Sequence, residues 1–197
     1  MTHSHPSFPD THHDTSSNTL FGFWIYLMTD FIVFAALFSV YAVMYTGMEG
    51  GVAAKDFFHL KSALASTLIL LLASFSCGMA LLAIPGSRTK TILGFALTFL
   101  LGAAFLALEY ADFKNLLALG YSWKTNASFS SYFVLIGAHG LHIVFGLLFT
   151  LVFILQLLRR GFTDAVIRRL TCLSLFWFFS YFVWIFMFTI VYLIGAS

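Results

Sequence analysis

The sequence predicts an all-α, polytopic membrane protein: one bundle of five transmembrane helices. Composition points there first, because the 197-residue chain is 60% hydrophobic and 9% charged with a mean hydropathy of +0.94. Soluble domains do not have this balance. The apolar residues also fall into five runs, each long enough to supply the roughly 20 residues that a helix needs to cross hydrocarbon. A closed barrel is the other way to satisfy backbone polar groups in lipid. Its strands would alternate apolar and polar residues over about ten positions, and these runs do not alternate.

Residues 1–19, MTHSHPSFPDTHHDTSSNT, are polar and lack Lys and Arg. Without the basic start of a signal peptide, they read as a short disordered tail before a membrane domain over 20–197. The tail's four histidines could hold a metal ion if it were ordered, but a floppy His-rich segment is usually solvated.

Span one covers about Leu20 to Tyr45. Asp30 lies about ten residues into it, which at 1.5 Å per residue is roughly 15 Å deep. Tyr26, Asp30, Phe34 and Tyr41 share a helix face, so Asp30 is expected to face protein rather than lipid. Span two, about Leu60 to Ile84, contains Cys77. That residue and Cys172 show no CxxC spacing and read as packing residues.

Span three covers about Thr91 to Lys114. Ala103, Ala107 and Ala111 recur at i, i+4 and i+8 as a stripe for close helix packing. On another face Thr98, Gly102, Phe105, Glu109 and Asp112 line up. Span four, about Phe129 to Leu158, carries His139 and His142. Span five, about Leu170 to Gly195, carries Trp177, Tyr181, Trp184 and Phe188 on one stripe, which meets either lipid or protein.

Basic residues in short loops favour the cytoplasmic side. Arg88 and Lys90 lie between spans two and three, and Arg159, Arg160, Arg168 and Arg169 between spans four and five. The opposite connections mix Lys55, Lys61, Lys114 and Lys124 with Glu49, Asp56 and Asp112. The N-terminus is therefore expected to be cytoplasmic and the C-terminus periplasmic. With topology accounting for the arginines, a net charge of +2 leaves no nucleic-acid footprint.

No nucleotide loop or nucleophile motif appears, so chemistry must lie with the intramembrane polar groups. Asp30, Glu109, Asp112, His139 and His142 are the candidates, because an ionisable group at such depth costs several kcal/mol unless paired or hydrated. Structural pairing and proton handling are both open for Asp30 and Glu109. Burial in an apolar helix favours the uncharged form of Glu109.

The two histidines, three residues apart on one face, invite comparison with metal or haem ligation. Zinc would need a further ligand, for which Glu109 is the one good candidate. Two axial haem histidines must stand on opposite sides of the macrocycle, and no other span contains a histidine. Packed hydrogen-bonding residues directed toward Glu109, or members of a proton or lipid-headgroup network, are the remaining readings. No metal or cofactor site is expected in this chain.

Four stretches carry a resemblance: FGFWIYLMTD (21–30), LGAAFLALEYADF (101–113), GAHGLHIVFG (137–146) and LSLFWFFSYFVWIFMFTIVYLIG (173–195). Together they resemble the spans of subunit III of haem-copper terminal oxidases. The E-Y-x-[DE] pattern at Glu109 and Asp112 and the HGLH at 139–142 agree in type and position. Five spans rather than seven make the chain similar to the cytochrome o ubiquinol oxidase branch.

The resemblance implies an accessory subunit without a redox centre in a bacterial plasma (inner) membrane. It would pack beside a catalytic subunit holding haems and copper, among membrane phospholipids. The complex would oxidise ubiquinol, reduce oxygen to water and pump protons. The family's fifth-span pattern W-H-F-x-D-x-V-W is broken here: Phe178 and Tyr181 stand at the His and Asp positions.

A rival from another class is a small stand-alone transporter or proton channel built on Asp30, Glu109, His139 and His142. Inverted repeats and broken helices would mark it, and the sequence shows neither.

Overall fold

The computed structural model describes residues 15–46, 60–119 and 127–194. They form α1 (Thr15–Thr46), α2 (Leu60–Leu82), α3 (Arg88–Ala118), α4 (Ala127–Arg160) and α5 (Asp164–Met187), the last running on as a π-helical segment, Phe188–Ile194. There is no strand among the described residues. All five helices are long and apolar enough to cross a membrane, with qualifying stretches of 21 to 31 residues. The chain is a multi-pass membrane protein. The histidines of the tail, at 3, 5, 12 and 13, lie outside the described residues.

Local chemistry sets the helix ends at the two described turns. Pro85 cannot continue α2, and the chain reverses through a turn held by Gly86 N–H donating to Ala83 O and Ser87 N–H to the same carbonyl, both at 3.1 Å. At the other turn Gly161 takes a φ of +70°, the left-handed conformation that ends a helix, and its N–H donates to Leu157 O. Thr163 then caps α5, its hydroxyl accepting from Val166 N–H, with Asp164 in the first turn. The cap starts α5 six residues ahead of the apolar run.

These turns lie at the same end of the bundle and are tied together. The Arg88 guanidinium donates to Leu157 O and Leu158 O at the C-terminus of α4, at 2.5 and 2.6 Å. Those carbonyls belong to the last turn, where a cation is favoured. Arg169 donates to Gln156 across the turn.

Helices α2 and α3 form the tightest pair. A Cβ on Gly94 would stand 2.6 Å from Ala80 Cβ, and the closeness lets the Ser76 hydroxyl donate to Gly94 O. Helix α5 is the hub, meeting α1, α2 and α4, while among the described residues α1 packs on α4 and α5 alone. The space between α3, α4 and α5 is filled by Trp177, which leaves no room for a side chain at residue 102: a Cβ there would lie 2.5 Å from the indole. The indole N–H donates to Thr150.

One expectation about faces needs correction, and one open reading is decided. The alanine stripe of α3 is no internal seam, because Ala107 and Ala111 are exposed and Ala103 only half-buried. Gly94 and Gly102 carry the close approaches instead. The aromatic stripe of α5 is mainly internal, with Trp177 and Trp184 fully buried and Tyr181 and Phe188 half-buried.

Two tests follow from this packing. Gly102→Val should cost about 1–3 kcal/mol through overpacking against Trp177. Arg88→Ala should cost a similar amount, about 1–3 kcal/mol, by leaving two terminal carbonyls without a charged donor. Thermal unfolding of the purified protein, followed by helical circular dichroism, checks both; an unchanged midpoint in either variant contradicts the corresponding contact.

Candidate functional site

The five polar residues separate into two clusters. In the first, α4 presents His139 and His142 toward α1 and α5. His139 is wholly buried, and its Nε2 lies 3.2 Å from the carbonyl of Ser180 on α5. A carbonyl only accepts, so Nε2 carries the proton and donates. Around the ring stand Phe34 of α1, Phe105 of α3 and Trp184 of α5, with centroids 6.4, 5.7 and 5.4 Å away.

His142 lies one turn further along α4, stacked on Phe176 at 4.3 Å and 13° between planes. Phe34 meets it edge-on. Its Nδ1 is 3.7 Å from Asp30 Oδ2, too long for a hydrogen bond. The contact is an ion pair only when the ring is protonated. Asp30 and His142 are 22% and 10% exposed, so Asp30 sits at the rim of the α1–α4 seam and faces protein on one side only.

The second cluster lies between α2, α3 and α4. Glu109 and Asp112 line a cavity of about 10 Å³ together with Ser66, Phe113, Tyr132 and Ile136. Ser62 donates to Asp112 Oδ2 at 2.6 Å. Glu109 is held differently: both carboxyl oxygens are inaccessible and have no hydrogen-bond partner. Gly140 makes this fit possible, because a Cβ there would stand 3.4 Å from Glu109 Oε2.

The expected link between the histidines and Glu109 is absent. His139 turns to α5 and His142 to α1, because the helix-face angle that separates them aims them at different neighbours. No group of three or more His, Cys, Asp or Glu side chains that could hold a metal ion forms among the described residues. A haem or zinc does not fit the pair either: His139 Nε2 is committed to Ser180 O, and both rings are enclosed by aromatic side chains.

Ser180 and Phe176 were not singled out by sequence reasoning. A backbone carbonyl leaves no trace in residue type, and one Phe among 25 carries no signal. Phe178 is half exposed, its ring lying over Gly78 rather than against the histidines. Cys77 and Cys172 are free thiols, the former buried.

Comparison with known proteins identifies the class to which this arrangement belongs. Residues 5–196 match the cytochrome c oxidase subunit III family, and the chain belongs to that family. It is 47% identical over 188 residues to cytochrome bo(3) ubiquinol oxidase subunit 3 of Pseudomonas aeruginosa, covering 95% of this chain and 90% of that one. Quinol oxidase subunit 3 of Bacillus spizizenii is 35% identical over 185 residues, covering 93% and 91%. Cytochrome c oxidase subunit 3 of Bacillus sp. strain PS3 is 34% identical over 179 residues, covering 90% and 86%.

The contrast between Glu109 and Asp112 can be read chemically. A hydrophobic carbodiimide dissolves in the membrane and attacks protonated carboxyls, and a carboxyl without a partner in an apolar bundle is held in that form. Glu109 should therefore be modified before Asp112, which accepts a hydroxyl hydrogen bond. Peptide mass mapping after limited labelling is the check; Asp112 labelled first, with Glu109 unmodified, contradicts the assignment.

Proposed function

We infer that this chain is the accessory subunit III of a quinol-oxidising terminal oxidase, and that it supports assembly and stability of the catalytic subunit. The observation that carries this reading is the 47% identity, over 95% of the chain, to a protein named as subunit 3 of a ubiquinol oxidase. The cytochrome c oxidase relative is more distant, at 34%, and the quinol is accordingly the electron donor assigned to the complex. The complex oxidises ubiquinol, reduces oxygen to water and couples this to proton pumping. Its haems and copper belong to the catalytic subunit beside which this chain packs.

The site geometry supports an accessory role. His139 is spent on a backbone carbonyl and His142 is stacked on a phenyl ring. The cavity beside Glu109 is lined by neither histidine nor by Asp30, which sets Glu109 apart from the other three residues that a transporter would use. Holding the bundle together, rather than turnover, is the work of the pair, His139 through its hydrogen bond to Ser180 O and His142 through its stacking on Phe176.

The membrane is the bacterial plasma (inner) membrane. The end that carries Arg88, Lys90, Arg159, Arg160, Arg168 and Arg169 faces the cytoplasm, following the bias of basic residues. The N-terminus is then cytoplasmic and the C-terminus periplasmic. Phospholipid tails cover the exposed apolar surface of α1 wherever no partner subunit does.

Solubilisation in mild detergent tests the assignment: the chain should co-migrate with haem-containing subunits, and a monodisperse monomer free of haem contradicts it. Within that complex, His139→Ala or His142→Ala should weaken helix association by about 0.5–2 kcal/mol. Yield and thermal stability fall, while quinol oxidase rate per haem stays within a few-fold of normal. A loss of about a hundredfold, some 2.7 kcal/mol of barrier, in fully assembled enzyme would mean that the histidines do chemistry.

A further inference from the structure

The cavity beside Glu109 brings a buried polar group, a small space and further polar groups together. Both Glu109 oxygens are inaccessible and lack a protein partner, yet the side chain lines a space of about 10 Å³. That is close to the smallest volume that admits one water, roughly 10–15 Å³, and a buried water needs two to four polar partners. The lining supplies them: the Glu109 carboxyl, the Asp112 carboxyl and the Ser66 hydroxyl. Trp184 also lines the space, but its indole N–H is committed to Thr67 at 2.9 Å. It therefore closes the wall with its ring.

We propose that this cavity holds a single water molecule hydrogen-bonded between Glu109 and Asp112, through which the buried Glu109 carboxyl exchanges its proton with the membrane surface. Asp112 is the outlet. It is half-buried, stands one turn nearer the end of α3, and is steadied by the Ser62 hydroxyl on Oδ2. The step balances without a co-reactant: the Glu109 O–H bond breaks as the water gains that proton, the water releases one of its own to Asp112, and the reverse path restores the acid.

The titratable side chains facing the space are Asp112 from α3 and Tyr132 from α4. Helix α2 contributes Ser66 and α5 contributes Trp184, and no Lys, Arg or His is among the lining residues. With no cation in place to hold a Glu109 carboxylate, the anion formed in the step is transient and the proton returns by the same path. The cavity is too small for a second water or for a headgroup.

Infrared spectroscopy of the protein, purified in mild detergent with its accompanying subunits, reads the exchange directly. The carboxylic C=O band of Glu109 is identified by its loss in Glu109→Gln, and its shift is timed after transfer to deuterated buffer. The wild type should exchange quickly, and Ser66→Val, which puts methyl groups into the cavity, should slow exchange by about tenfold or more. Equal rates in the two proteins, or a wild-type band that does not exchange, would overturn the proposal.

Should Ser66→Val fail to assemble, a cryo-EM map of the wild-type complex that resolves ordered waters decides instead. A peak within about 2.6–3.2 Å of both carboxyls supports the bridge. An empty cavity overturns it, as does a peak that appears only with sodium, which would make the site one for a monovalent cation.

Discussion

Hydrocarbon offers no hydrogen bonds, and this one constraint shapes the bundle: a polar atom placed between the helices must find its partner inside the protein. Many hydroxyls bond a carbonyl one turn back in their own helix, and other polar groups find partners across helix interfaces. Trp177 donates to Thr150, Trp184 to Thr67, Ser76 to a backbone carbonyl of α3, and His139 to Ser180 O. Three of these four bonds involve α5, which is why α5 is the hub. Each bond is worth only about 0.6 kcal/mol on average in a membrane. Their larger effect is on register, since a helix that slides or rotates leaves several of them unmade at once.

The same constraint explains why the polar residues do not pool into one site. His139 and His142 are one turn apart on α4, yet they serve different neighbours and are walled by Phe34, Phe105, Phe176 and Trp184. Glu109 and Asp112 gather on the other side of α4, reached through the gap at Gly140. A bundle that isolates its ionisable groups behind aromatic rings is suited to holding shape beside a working partner.

The spans were legible in the sequence because apolar length is set by membrane thickness, which does not depend on tertiary contacts. Helix faces were legible only in part. Thr98, Gly102 and Phe105 are buried as spacing suggested, whereas Ala107 and Ala111 on the same helix are exposed. In lipid both faces of a span are apolar, so periodicity identifies a stripe without saying which side meets protein. The partner of His139 could not be read at all, because it is the backbone of a serine 41 residues away. The early start of α5 could have been read, since Thr163 followed by Asp164 is a helix-capping signal.

The central claim is that the histidines of α4 are structural, with His139 pinned by its Nε2 proton to the Ser180 carbonyl. Nitrogen-15 solid-state NMR of the histidine-labelled protein in its membrane complex reads the state of that ring directly, with His139→Gln identifying the signal. The account predicts a neutral imidazole protonated at Nε2 and bare at Nδ1. A doubly protonated ring, a bare Nε2 or a metal-shifted resonance would contradict it.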